Sequence, residues 1–145
     1  MASPFLKRVQ RTFTRFNVFV YRLSGGKILG KMIGPPLLLL TTTGRKTGKP
    51  RTTPIGFLHE NGEYLIAATA SGSDQNPTWL ANLQSNPEAT IEVKGKQIAV
   101  KAVITSGAER DQLYKRFEAN SSSFTWVQSR TTRTIPVIRL LPIST

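Results

Sequence analysis

The sequence predicts a mostly β domain of the α+β class: an antiparallel barrel of about six strands with two or three helices packed outside it. Three observations lead there. Apolar segments of strand length recur along the chain, several alternating in and out, with glycine-bearing turns between neighbours. Helical signals are confined to an N-terminal stretch and two internal segments. A chain of 145 residues, 39% hydrophobic and 19% charged, suits one domain with a proper core.

The first element is a basic amphipathic helix within residues 1–26, ahead of a barrel domain over 27–145. On a helical wheel Phe5, Leu6, Val9, Phe13, Phe16, Val20 and Leu23 share an arc of roughly 100°. Lys7, Arg8, Arg11, Arg15 and Arg22 occupy the far side, while Ser24-Gly25-Gly26 stops the helix. Leu37–Thr43 and Thr53–Leu58 follow as strands, and the turn Glu60-Asn61-Gly62 leads into a strand over Glu63–Thr69. Asn76 as N-cap and Pro77 at the first helical position open a helix that ends before Asn86-Pro87. Thr90–Lys94 and Gln97–Ile104 make a hairpin around Gly95-Lys96. Ser106-Gly107-Ala108-Glu109 reads as a capping box for a helix running to about Ala119. Ile135–Leu140 is the last strand, with its proline at the start or on an edge.

The formal net charge is +12, and the excess is concentrated. Residues 1–59 hold eleven Lys/Arg and no acid, whereas the remaining 86 hold nine bases and eight acids. Such asymmetry points to an anionic partner. The N-terminal helix leaves three readings open: contact with an anionic leaflet, tracking of a phosphate backbone, or packing on its own domain with solvated cations. Nucleic acid is the least favoured, because the aromatics lie opposite the cations and no helix-turn-helix, zinc or RNP pattern is present. The charges also break any apolar run long enough to span a bilayer or form a signal peptide. The protein is therefore expected in the cytoplasm, with the inner face of the membrane as the alternative. With no cysteine and one histidine, His59, outside any Glu/His cluster, no metal is expected.

Two segments carry chemistry. Gly44-Arg45-Lys46-Thr47-Gly48-Lys49-Pro50-Arg51 places four cations in a turn between strands, where glycines let backbone N–H groups approach an anion. It matches neither a Walker loop nor a dinucleotide fingerprint, and a solvated hairpin tip remains its alternative. Ala67-Ala68-Thr69-Ala70-Ser71-Gly72-Ser73 sets small residues at a strand end, before the Pro77 helix, and leaves room for something flat. Trp79, one turn in, reads equally as an aromatic wall or a core residue.

Taken together, the block Leu39–Pro54, then Ala67-Ala68-Thr69, Asn76-Pro77-Thr78-Trp79 with Asn82-Leu83 and Asn86-Pro87, and Arg133-Thr134-Ile135-Pro136-Val137 resemble the deazaflavin-dependent nitroreductase and quinone reductase family. The resemblance covers roughly residues 37–142. It implies a split β-barrel oxidoreductase using coenzyme F420, with FMN as a minor variant. It assigns Arg45, Lys46, Thr47, Gly48 and Arg51 to the cofactor's phosphate and oligoglutamate tail, with Pro54 on the adjacent wall. Ala67, Ala68, Thr69, Ser71, Gly72, Pro77, Thr78 and Trp79 would hold the ring, and Thr69 is the candidate to hydrogen-bond ring or acceptor.

There is a departure. Nitroimidazole-reducing members place tyrosines before the RTIPV motif, whereas Ser121–Gln128 here has none, and Leu80 stands where an aromatic is common. Phe124, Val127 and Leu80 thus describe an apolar acceptor side, suited to a quinone or another lipophilic molecule. A quinone would also give the basic helix a purpose at the membrane. The alternatives are a cofactor or lipid carrier without turnover, and a basic nucleic-acid binder.

Overall fold

The computed structural model describes residues 36–143. The amphipathic segment 5–23 and the boundary at residues 26 and 27 lie outside the described residues. The described chain runs β1 (Leu37–Thr43), β2 (Pro50–Glu60), β3 (Glu63–Ala67), α1 (Thr78–Ser85), β4 (Glu88–Val93), β5 (Lys96–Ile104), α2 (Gly107–Asn120), α3 (Ser122–Ser129) and β6 (Val137–Pro142). The six strands close a barrel in the order β1-β2-β3-β6-β5-β4, every pair antiparallel. Closure leaves no strand edge unpaired, so the barrel is complete within residues 37–142.

Strand alternation divides the apolar residues between two cores. Leu38 and Leu40 of β1, Tyr64 and Ile66 of β3, and Ile138 and Leu140 of β6 turn inward, where Leu80 and Leu83 of α1 join them. Leu65 and Ala67 of β3 and Val137 of β6 turn outward and are covered by Tyr114 and Phe117 of α2. β3 is therefore buried on both faces from Tyr64 to Ala67 and carries its one charge, Glu63, at its start. On the same outer side Arg139 binds Glu63 through both Nε (2.8 Å) and Nη2 (2.7 Å) and reaches Glu109 of α2. That guanidinium holds the Glu63 carboxyl below the usual carboxylate range.

The strand expectations hold in order and pairing, with shifts at the ends. Asn61-Gly62 forms the β2–β3 turn with φ of 52° and 75°, as a two-residue hairpin loop requires. The β4–β5 turn is Lys94-Gly95, one residue earlier than Gly95-Lys96, because Lys94 and Gly95 take the left-handed φ values and Val93 pairs Lys96. β3 stops at Ala67, and β6 begins only at Val137, past Pro136.

The helix caps differ more. Pro77, not Asn76, is the N-cap of α1, since the Asn76 side chain is engaged elsewhere. Ser106 caps α2 without a side-chain bond, and Glu109 faces Arg139 rather than closing a capping box. The third helix, α3, falls in a stretch the sequence left unassigned; Ser121 caps it by accepting from the Ser123 N–H.

Candidate active site: a two-part groove

The basic loop joins β1 to β2 and is tied from within. The Gly44 N–H donates to Lys49 O (2.7 Å), Gly48 N–H to Gly44 O (2.7 Å) and Lys49 N–H to Thr47 Oγ1 (3.2 Å). Arg45 N–H donates to Asn82 Oδ1 of α1 (3.1 Å), and Asn82 Nδ2 in turn donates to Thr42 Oγ1 (3.0 Å). The glycines thus serve the loop's own fold. A Cβ on Gly44 would sit 2.7 Å from Thr47 Oγ1, and Gly48 has φ +71°. The N–H groups of both glycines are thus spent inside the loop, and what projects from it are the long side chains.

Those side chains are available. Arg45, Lys46, Thr47 and Arg51 line a cleft of about 600 Å³ together with Asn82. None of the ion pairs among the described residues involves Arg45, Lys46, Lys49 or Arg51. Gly48 stands at the exposed tip and lines nothing.

A second cleft of about 780 Å³ opens beside the first. Pro54, Ala67, Thr69 and Ser71 line one part of it, Pro77, Thr78 and Trp79 another, and Ser123, Phe124 and Val127 of α3 a third. Leu37 and Ile55 add apolar surface. Thr53, Thr78 and Trp79 line both clefts, which makes them the waist of one continuous groove. Trp79 resolves its two readings into one: it is 8% exposed, packs in the inner core, and still borders both compartments.

Besides Gly48, three residues assigned to the site lie outside the groove's lining. Ala68 and Leu80 are buried in the inner core, and Leu80 does not border the groove because its position on α1 turns it into the barrel. Gly72 is buried with φ +80°, where a Cβ would meet the Arg130 Cβ at 3.2 Å. The structure adds Asn82, whose position three residues after Trp79 puts it one turn along the same helix face. It also adds Thr53, Ala70 and Ser123.

The turn after β3 is strained. Ala70, Ser71 and Gly72 have φ of 46°, 56° and 80°, and left-handed backbone costs about 1–2 kcal/mol for each non-glycine residue. Arg133 grips this turn. Its Nη2 donates to the carbonyls of Ala68 (3.0 Å) and Thr69 (2.9 Å), Nε to Ser73 O (2.8 Å) and Nη1 to Asn76 Oδ1 (2.9 Å). Charge-assisted bonds of this kind are worth about 1.5–3 kcal/mol each, enough together to hold the turn. Arg133, which the sequence offers only as part of the motif ahead of β6, thus has the turn's carbonyls and Asn76 as its partners.

Helix α3 is fixed from behind. The Tyr114 hydroxyl donates to Phe124 O (2.7 Å), and burial pushes its pKa up to about 12. Gln128 Oε1 accepts from Arg110 Nη2 (2.8 Å) and Ile135 N–H (3.2 Å), while its Nε2 donates to Arg133 O (2.8 Å).

A groove with a cationic end and an apolar end is the form of a site for a bound redox cofactor, and among the described residues no cluster could hold a metal. The family model of the F420H(2)-dependent quinone reductases matches residues 13–142. The chain belongs to that family. It is an F420-dependent oxidoreductase, and its cofactor is coenzyme F420 rather than FMN. An F420H(2)-dependent quinone reductase of Mycobacterium tuberculosis (strain ATCC 25618 / H37Rv) is 39% identical over 132 residues, 87% of this reductase and 87% of that protein. The solved structure of the F420-H2 dependent reductase FDR-A superposes with a TM-score of 0.67 at 32% identity, covering 72% of this chain and 93% of that one. HutZ, the heme storage protein of Vibrio cholerae, shares the fold alone, at 14% identity and a TM-score of 0.58 over 75% of this chain and 82% of that one. No described helix is long and apolar enough to cross a membrane.

Proposed function

We propose that this reductase passes a hydride from reduced F420 to a lipophilic quinone held against α3. The observation that carries the reading is the waist at Thr53, Thr78 and Trp79, which joins a cationic compartment to an apolar one. An amphiphilic cofactor with a flat ring and a polyanionic tail fits such a groove end to end. When bound and reduced, the deazaflavin supplies a hydride that, with one proton, converts a quinone to a hydroquinone.

Residue roles follow from position. Arg45, Lys46 and Arg51 neutralise the phosphate and tail, and Thr47 offers its hydroxyl. Pro54, Ala67, Pro77 and Trp79 border the ring with surfaces too small or too flat to crowd it. The hydroxyls of Thr69, Ser71 and Thr78 have no hydrogen-bond partner among the described residues and face the groove. They are positioned to accept or donate to ring heteroatoms, Thr69 to ring or acceptor. Phe124 and Val127, with Leu37 and Ile55, supply the apolar acceptor side and exclude water from it. Leu80 supports this wall only from inside the barrel. The basic segment 5–23 serves to keep the enzyme at an anionic membrane, where a lipophilic quinone resides.

Fluorescence titration of oxidised F420 with wild type and an Arg45→Ala/Lys46→Ala variant tests the cofactor half. Binding weakened about tenfold or more (about 1.4 kcal/mol) is the expected result; equal binding would move the tail off the loop. Turnover with a soluble quinone and reduced F420 tests the acceptor half, and tight cofactor binding without turnover would make the protein a carrier. Co-sedimentation with anionic vesicles, lost on deletion of residues 1–24, tests the membrane role.

A further inference from the structure

We propose that Arg133 is a positioning residue for the reaction, a guanidinium clasp that fixes the ring-side wall of the apolar cleft from behind. The inference rests on the F420 reading of that cleft. Arg133 does not line the groove, yet its four bonds bracket the segment that does. Two go to carbonyls at the entrance of the left-handed turn, Ala68 and Thr69, and one to the carbonyl at its exit, Ser73. The fourth goes to Asn76, next to the Pro77 that opens α1. One planar group therefore sets the span between the end of β3 and the start of α1, and that span is the part of the cleft containing Thr69, Ala70, Ser71 and Pro77.

The turn needs such a clasp. Its own backbone bonds, Gly72 N–H to Thr69 O (2.9 Å) and Ser73 N–H to Ala70 O (3.0 Å), hold three successive left-handed residues of which only one is glycine. Thr69 O accepts from Gly72 and Arg133 together, so the guanidinium acts on the same carbonyl that closes the turn. Thr131 Oγ1 donates to Asp74 Oδ1 (2.9 Å), a second tie on the exit side.

Arg133 is itself set by the opposite wall. Its carbonyl accepts from Gln128 Nε2, and Gln128 lies one residue beyond Val127 on α3. The clasp thus relates the ring-side wall to the acceptor-side wall. An arginine is required, because a lysine ammonium has three donors on a flexible stem and no planar fork to meet acceptors spread around it.

The test compares wild type, Arg133→Ala and Arg133→Lys in the full chain. Four quantities are read: F420 affinity, kcat with a soluble quinone, the thermal midpoint, and amide exchange over residues 69–76. Expected are a kcat loss of about 10- to 100-fold, an F420 affinity changed by less than about threefold, and faster exchange confined to the turn. Arg133→Lys should resemble the alanine variant, and methylguanidinium, but not methylammonium, should restore kcat to Arg133→Ala. Undiminished kcat, full function with lysine, or wild-type exchange at the turn would each overturn the proposal. So would a loss of affinity and kcat in equal proportion. If Arg133→Ala fails to fold, Asn76→Ala removes one arm of the clasp and should shift kcat and exchange in the same direction by less. If wild type itself binds no F420, the cofactor reading fails, and the exchange measurement alone then decides whether Arg133 holds the turn.

Discussion

The two ends of the groove are built on opposite plans. At the loop end, the backbone is tied within the loop and to Asn82, and long exposed cations reach outward, unpaired with any described carboxylate. At the ring end the side chains are short, the backbone is strained, and the binding surface is held by Arg133, Gln128 and Tyr114 acting from outside it. Under the proposed function a flexible polyanion is met by adjustable charges, whose attraction falls off slowly with distance. The same proposal has a rigid ring and its acceptor met by fixed geometry, where small displacements matter.

The largest expected effect tests the support of the ring end. Phe117 of α2 is fully buried, in ring contact with Phe124 of α3 (5.0 Å between centroids). Phe117→Ala should destabilise the fold by about 3–5 kcal/mol in urea unfolding, whereas removal of Lys46 should leave stability unchanged. Comparable losses from both would erase the distinction between the two ends. Next is Asn82→Ala, which strips a partner from Arg45 N–H and Thr42 Oγ1 and should cost about 1–3 kcal/mol of stability. Its signature is weaker F420 binding with kcat preserved, the reverse of what Arg133 variants should show.

Salt separates the ends more gently. Raising ionic strength from about 0.01 M to about 0.15 M shortens the screening length from about 30 Å to about 8 Å, so intact F420 should bind several-fold more weakly. A deazaflavin lacking the phosphate and tail should be indifferent, and equal salt sensitivity for both ligands would place charge recognition at the ring. The smallest effect is alkaline. Tyr114 keeps its proton to about 12 in the fold but ionises near 10 when unfolded, so its contribution is intact below pH 10 and lost as pH rises toward 12. Thermal midpoints of Tyr114→Phe should fall less steeply over that interval than those of wild type.

The two plans also differ in how legible they were from the residues. The barrel and the loop cations followed from alternation, turn glycines and charge, all of which are local signals. The ring end was legible only as small residues at a strand end. Its shape depends on bonds between residues some 57 to 65 positions apart, Arg133 with Asn76 and with Ala68, which no spacing rule reveals. The same long-range bonds explain the errors. Asn76 reads as a helix cap but is taken by Arg133, and Glu109 reads as a capping-box partner but faces Arg139. Helix α3 is short, rich in serine and buries no residue completely, so it lacks the apolar stripe that announces a helix. The loop glycines were legible as glycines, but nothing local showed that their N–H groups are consumed within the loop.

The waist at Thr53, Thr78 and Trp79 also bears on how such an enzyme diversifies. Those three residues belong to both compartments and α3 to one, so under the proposed function changes along Ser122–Ser129 would alter which acceptor is admitted without touching the grip on the electron donor. A lineage can therefore try new acceptors one substitution at a time while every intermediate stays charged with the same reductant.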